Sequence, residues 1–98
     1  MKRAIEDVVA ERQRQQELWG DQTHSMSQWL AILVEEVGEV AKEVNEFNFE
    51  DDRIKQIERL RNYRMELVQV AAVAMQMIEK VDEAAHPLDL RLTTKKEA

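Results

Sequence analysis

Between Leu67 and Ile78 the chain reads Leu67-Val68-Gln69-Val70-Ala71-Ala72-Val73-Ala74-Met75-Gln76-Met77-Ile78, an almost unbroken apolar run in a segment without Gly or Pro. The helix that carries it is expected to extend from about Arg53 to Ala84 and to stop at His86-Pro87. A helix that is apolar around its circumference must be buried on all sides. A chain of 98 residues with three helices cannot do that alone. The reading is therefore an obligate homo-oligomer, a dimer or a tetramer built as a dimer of dimers, with this helix near the centre of a shared bundle. The small residues Ala71, Ala72 and Ala74 would let helices approach closely.

The rest of the chain fits an all-α class, an antiparallel helical bundle around that long central helix. Charged residues make up 35% and hydrophobic residues 44%, with two Gly and one Pro, a composition of long helices rather than of strands and tight turns. Residues 1–92 are expected to form one helical domain, with a mobile charged tail from Thr93 to Ala98. A first helix is expected from about Lys2 to Leu18. Its apolar positions Ile5, Val8, Val9 and Leu18 are sparse, and Arg12 to Gln16 is wholly polar. Gly20-Asp21-Gln22-Thr23 breaks it. Ser25 and Gln28 have capping-box spacing for a second helix, from about Met26 to Phe47. On that helix Leu30, Val34, Val37, Ala41 and Val44 form one stripe, with Leu33 and Val40 beside it. Ile32, Glu36, Glu39, Glu43 and Glu46 form the opposite, mainly acidic face. Asn48 serves as its stop, and Asp51 or Asp52 can cap the third helix.

Charge and composition narrow the function. A net charge of −6 argues against binding a nucleic-acid polymer, because phosphate backbones demand a basic surface. Without cysteine, disulfides, thiolate nucleophiles and cysteine-ligated zinc are excluded. No apolar run approaches the roughly 20 residues of a membrane span. The beginning of the chain lacks the apolar block of a signal peptide, so a cytoplasmic setting with no membrane partner is expected.

The chemistry concentrates in Glu35-Glu36-Val37-Gly38-Glu39. Glu36 and Glu35 each share a helix face with Glu39, and like charges at that spacing repel unless solvent or a cation offsets them. A short loop between the second and third helices would make them antiparallel neighbours, so Glu36 and Glu39 would meet Glu66 and Gln69. Oxygen ligands so arranged suit a hard cation such as Mg²⁺.

These residues carry a resemblance. Glu35-Glu36-Val37-Gly38-Glu39, the spacer Val40 to Met65, and Glu66-Leu67-Val68-Gln69 resemble the MazG-like branch of the all-α nucleoside triphosphate pyrophosphohydrolases. That family's pattern is Glu-Glu-x-x-Glu, a spacer, then Glu-x-x-Asp. Trp19-Gly20-Asp21-Gln22 and Trp29-Leu30 also read as family-like, so the likeness covers most of the chain. It implies Mg²⁺-dependent cleavage of a ribo- or deoxynucleoside triphosphate to monophosphate and pyrophosphate, in nucleotide-pool housekeeping, with Mn²⁺ as a substitute metal. It also implies that Glu36, Glu39 and Glu66 are metal ligands, and that Glu35 binds metal or orients the attacking water. Gln69 stands where the family has Asp. Its amide oxygen can ligate Mg²⁺ but brings no charge.

Around this centre, Lys42 would reach a phosphate or pair with Glu39 or Glu46. Arg61 and Arg64 would clamp the triphosphate or form surface ion pairs, and Asn62 shares a face with Glu66 for a phosphate contact. Trp19, His24 and Trp29 are candidates for a base-stacking pocket, although Trp29 reads more readily as core. Glu43 and Glu46 read as solvent-exposed, and Met65, Met75 and Met77 as core filler. Two other readings compete with the enzyme: a weakened nucleotide-binding or regulatory module, motivated by Gln69, and a structural helical interaction protein whose acidic face is only solvated.

Overall fold

The computed structural model describes residues 1–85. The stop expected at His86-Pro87 and the tail expected from Thr93 lie outside the described residues. Three helices account for nearly all of the rest: α1 (Lys2–Trp19), α2 (Met26–Asn48) and α3 (Arg53–Ala85). No strand occurs among the described residues.

Local chemistry sets the ends. α1 stops where Gly20 takes φ 64°, its N–H donating to the Gln16 carbonyl at 2.8 Å. Only a residue without a Cβ adopts that left-handed conformation cheaply. Ser25 and Gln28 close the expected capping box, with Ser25 N–H donating to Gln28 Oε1 at 2.8 Å and Gln28 N–H to Ser25 Oγ at 3.1 Å. Asp52, not Asp51, caps α3, its Oδ1 accepting from Ile54 N–H at 2.8 Å and Lys55 N–H at 3.1 Å. α2 includes Asn48, and the cap falls on Phe49.

α3 is the spine on which the other two helices pack, and α1 and α2 do not pack on one another. α2 runs antiparallel to α3, as the pairing of Glu46 with Arg59 near the loop and Glu36 with Glu66 farther along shows. α1 runs parallel to α3, because Asp7 meets Arg64 and Gln15 meets Gln76. The bundle is thus antiparallel along one side of the spine only. Between α1 and α2 a groove remains, floored by α3.

The core of the isolated chain is thin. Its buried apolar residues are Trp29, Ala72, Val73 and Ala85, and no large side chain among the described residues is fully buried. The Cα radius of gyration is 16.5 Å, against roughly 12–13 Å for a compact chain of this size. α2 does not bury the main apolar stripe that a simple amphipathic reading selects. Its apolar stripe is turned outward, with Leu30 56%, Val34 59% and Val37 49% exposed. Trp29, Ile32, Leu33, Glu36, Val40 and Glu43 are the residues turned toward the rest of the chain. The apolar positions of the first half of α3, Ile54, Ile57 and Leu60, are exposed too, as are Leu67 and Met65. Met65 therefore fills no core within this chain, whereas Met75 and Met77 are half-buried.

Candidate functional site

The centre of the site is a crossing of α2 and α3. Glu36 projects from the inward edge of α2, and Glu66 and Gln69 project one turn apart from α3. With its nitrogen toward the acids, the Gln69 amide donates to Glu66 Oε2 at 3.0 Å and to Glu36 Oε2 at 3.3 Å. One amide thus bridges two carboxylates on different helices. Turned over, the same amide would present its oxygen to the same place. What lies between the carboxylates therefore decides its polarity: N–H when they stand alone, oxygen when a cation joins them.

The carboxylates act on one another. Partial burial pushes the Glu36 carboxyl above its ordinary range, and the charges of Glu39, Glu35 and Glu11 push it further. Glu66 is raised in the same way, by burial first and then by Glu36, Glu39 and Glu43, with Lys42 opposing. Glu39 is exposed on α2 but close enough to raise both. Glu35 and Lys42 are exposed at the rim. Glu43 is not a solvated residue, because it is half-buried and its Oε1 is buried without a hydrogen-bond partner. Glu46 is half-buried as well, and it is paired with Arg59 at 2.8 Å. Among the described residues, no three His, Cys, Asp or Glu side chains converge closely enough to hold a metal ion. The convergence is of two carboxylates and one amide.

A cleft of about 200 Å³ opens from this centre into the groove between α1 and α2, lined by Trp19, Trp29, Ile32, Glu36, Gln69 and Val73 among others. Trp29 is 4% exposed, and its Nε1–H is buried without a partner. At the α1 wall, Gln76 Nε2 donates to Gln15 Oε1 at 2.6 Å, and Gln15 Nε2 donates to Glu11 Oε2 at 3.1 Å. Arg14 grips the same Glu11 through Nε and Nη2, both at 2.8 Å, and those hydrogen bonds hold the Glu11 carboxyl below its ordinary range.

The three aromatic candidates divide between two cavities. Trp19 and Trp29 face the cleft beside the carboxylates. His24 packs edge-on against Trp29, ring centroids 4.9 Å apart, and lines a second, mainly apolar cavity of about 800 Å³ that Trp29 also borders, with Leu30, Met77 and Val81. Arg64 is also displaced from the role expected of it: Asp7 on α1 holds its Nη2 at 2.7 Å, in a different cleft. Asn62 is half-buried on α3. Sequence reasoning missed Glu11, Arg14, Gln15 and the inward role of Gln76. The signal was present, since Gln76 follows Gln69 by two helical turns on one face of an otherwise apolar run.

No family model, curated protein or solved structure matches the chain.

Proposed function

We propose that the chain is a Mg²⁺-dependent nucleoside triphosphate pyrophosphohydrolase of the MazG-like kind, working in the cytoplasm as a homo-oligomer. The observation that carries the reading is the meeting of Glu36 and Glu66 across α2 and α3 with only the Gln69 amide between them. Two carboxylates raised by burial and by the neighbouring acids are an electrostatic demand that a hard cation meets, and all three groups offer oxygen. Glu36, Glu66 and the Gln69 oxygen would hold the ion, with Glu39 contributing charge from the rim. Bound there, Mg²⁺ would neutralise phosphate charge and stabilise charge developing on the leaving pyrophosphate.

The chain's own residues supply the remainder. Trp19 and Trp29 offer aromatic surface in the adjoining cleft, and the unpartnered Trp29 Nε1–H is a donor for an acceptor on the base. Glu35, beside Glu36 and open to solvent, is placed to orient water. Lys42 brings positive charge near Glu66. The outward stripe of α2 supports the oligomer, since large apolar surfaces of this kind mark interaction sites.

The deciding assay is incubation with a panel of ribo- and deoxynucleoside triphosphates and Mg²⁺, resolving monophosphate, diphosphate and pyrophosphate, with Glu36→Gln and Glu66→Gln run beside the native chain. Monophosphate with pyrophosphate, lost in both variants, is the expected result. Turnover that survives in both would sink the assignment of the centre. A second reading, a nucleotide-binding module without turnover, is motivated by Gln69, an uncharged amide where the resemblance has Asp. Nucleotide binding without any hydrolysis would select it.

A further inference from the structure

On the far side of Glu11 lies a cleft whose charge is opposite to that of the chain. It has a volume of about 480 Å³ between α1 and α3, and its walls carry Arg3, Arg14, Arg61 and Arg64 against only Asp7 and Glu11. Four arginines and two acids among the lining residues leave two positive charges in excess, in a protein of net charge −6. The carboxylates are already engaged. Asp7 Oδ2 is shared between Arg64 at 2.7 Å and Arg3 at 3.8 Å, and Glu11 is gripped by Arg14. Arg61 is exposed and has no ion-pair partner within 4.0 Å among the described residues. Ala10, Met65 and Val68 give the cleft an apolar lining, which strengthens electrostatic attraction within it.

We propose that this cleft is an anion site for a linear oligophosphate. Guanidinium groups bind phosphate oxygens in pairs and hold their charge at any ordinary pH, so several of them around one pocket select a polyanion over a single carboxylate. The Asp7 pairs do not block it. The Arg3 pair is exposed and the Arg64 pair only partly buried, pairs open to solvent contribute about 0–1 kcal/mol, and a diphosphate competes well with one carboxylate for Arg64 and Arg3. An extended nucleic acid is disfavoured, because the excess positive charge is confined to this cleft while the chain as a whole repels a polyanionic strand.

The same phosphate chemistry has two sources: free pyrophosphate, or the terminal phosphates of a triphosphate whose base lies beyond Glu11 and Arg14, the two residues common to both clefts. Only the second source rests on the pyrophosphohydrolase reading. Binding itself is therefore measured without nucleotide or divalent cation, by titration calorimetry with sodium pyrophosphate in the presence of a chelator.

Saturable binding is expected, weakened about tenfold in Arg61→Ala, strengthened in Asp7→Asn and retained in Glu36→Gln. Arg61 is exposed and unpaired, so its replacement leaves the fold intact, which circular dichroism would check. Absence of binding, equal affinity in Arg61→Ala, or preference for a single-stranded oligonucleotide over pyrophosphate would each overturn the site, whatever the outcome of the nucleotide assay. If the native chain turns over triphosphate, a raised KM in Arg61→Ala identifies the terminal phosphates as occupant. An unchanged KM with weakened pyrophosphate binding identifies free pyrophosphate.

Discussion

α2 divides its apolar residues between two faces, and one of its apolar stripes points away from the chain. Trp29, Ile32, Leu33, Glu36, Val40 and Glu43 are turned toward the rest of the chain, whereas Leu30, Val34, Val37 and Val44 are exposed together with Glu35, Glu39 and Lys42. In an isolated domain the hydrophobic effect leaves that outward stripe unsatisfied, since apolar burial contributes about 25 cal/mol per Å². The division makes sense if two surfaces compete for the helix. The acids must meet Glu66 and Gln69 on the chain's own α3, and the apolar stripe is left for something outside the chain. On the proposed function, the inward face would serve the carboxylate centre and the outward face the assembly of copies.

The strongest way to break this contrast is a charge on the outward face. Val34→Asp at a 59% exposed position of a monomer should change stability by no more than about 0.5 kcal/mol. In an interface between copies it buries a carboxylate and should cost several kcal/mol. The expected outcome is the second: dissociation in sedimentation velocity and a collapsed, broadened thermal transition. A variant that sediments and melts like the native chain would show that the stripe is simply solvated.

On the inward face, Glu36→Gln should lower Mg²⁺-dependent hydrolysis on the order of 10²-fold, the scale of one lost electrostatic contact to reacting charge. It should also abolish any rise in melting temperature with Mg²⁺, because an ion that binds only the folded state stabilises it by mass action. Without metal the same substitution should stabilise the fold. Glu36 and Glu66 have folded pKa values raised above 4.5, so the folded state binds more protons than the unfolded state just above that pH. Metal-free stability therefore falls as pH climbs through that window and levels off above the raised values. Glu11, with its lowered value, contributes stability above 4.5 that is lost only as pH falls below it. Melting curves from pH 4.5 to 7 should show the decline in the native chain and a shallower one in Glu36→Gln.

Gln69→Asp sharpens the same point at smaller cost. Metal-free, it replaces two donated hydrogen bonds with a third negative charge, for a loss of about 1–3 kcal/mol. With Mg²⁺ the added charge becomes a ligand, and the metal-induced rise in melting temperature should exceed that of the native chain. A metal-free stability equal to native would mean that the amide does not bridge the acids.

The fold was largely legible, because its determinants are local. Gly20, the Ser25–Gln28 box and Asp52 each act within a few residues, and each sets a helix end. The meeting of Glu36 with Glu66 and Gln69 followed from the short loop and helical spacing. The orientation of α2 was not legible, because amphipathicity reports which face leaves water and not whether the same chain covers it. The split of His24 from Trp19 depends on how Trp29 lies across the end of the groove, and helical spacing carries no such information. Arg64 went to Asp7 because α1 runs parallel to α3, an arrangement set by tertiary packing.

The smallest expected effect tests the edge of the outward face. Gly38 sits in the middle of α2, where Gly costs about 1 kcal/mol relative to Ala. It is helical with no positive φ, and a Cβ built on it meets nothing within 4 Å in this chain. Nothing among the described residues therefore requires Gly there. Gly38→Ala should raise stability by about 0.5–1 kcal/mol through helix propensity and a less flexible unfolded chain, read as an increase in the denaturation midpoint at constant slope. The oligomer and the Mg²⁺ response should be unchanged. A loss of stability would mean that another backbone passes close to Gly38, which would widen the assembly surface from the stripe to its margin. A lost Mg²⁺ response with stability intact would instead tie Gly38 to the carboxylate centre through Val37 and Glu39, joining the two faces that the rest of α2 keeps apart.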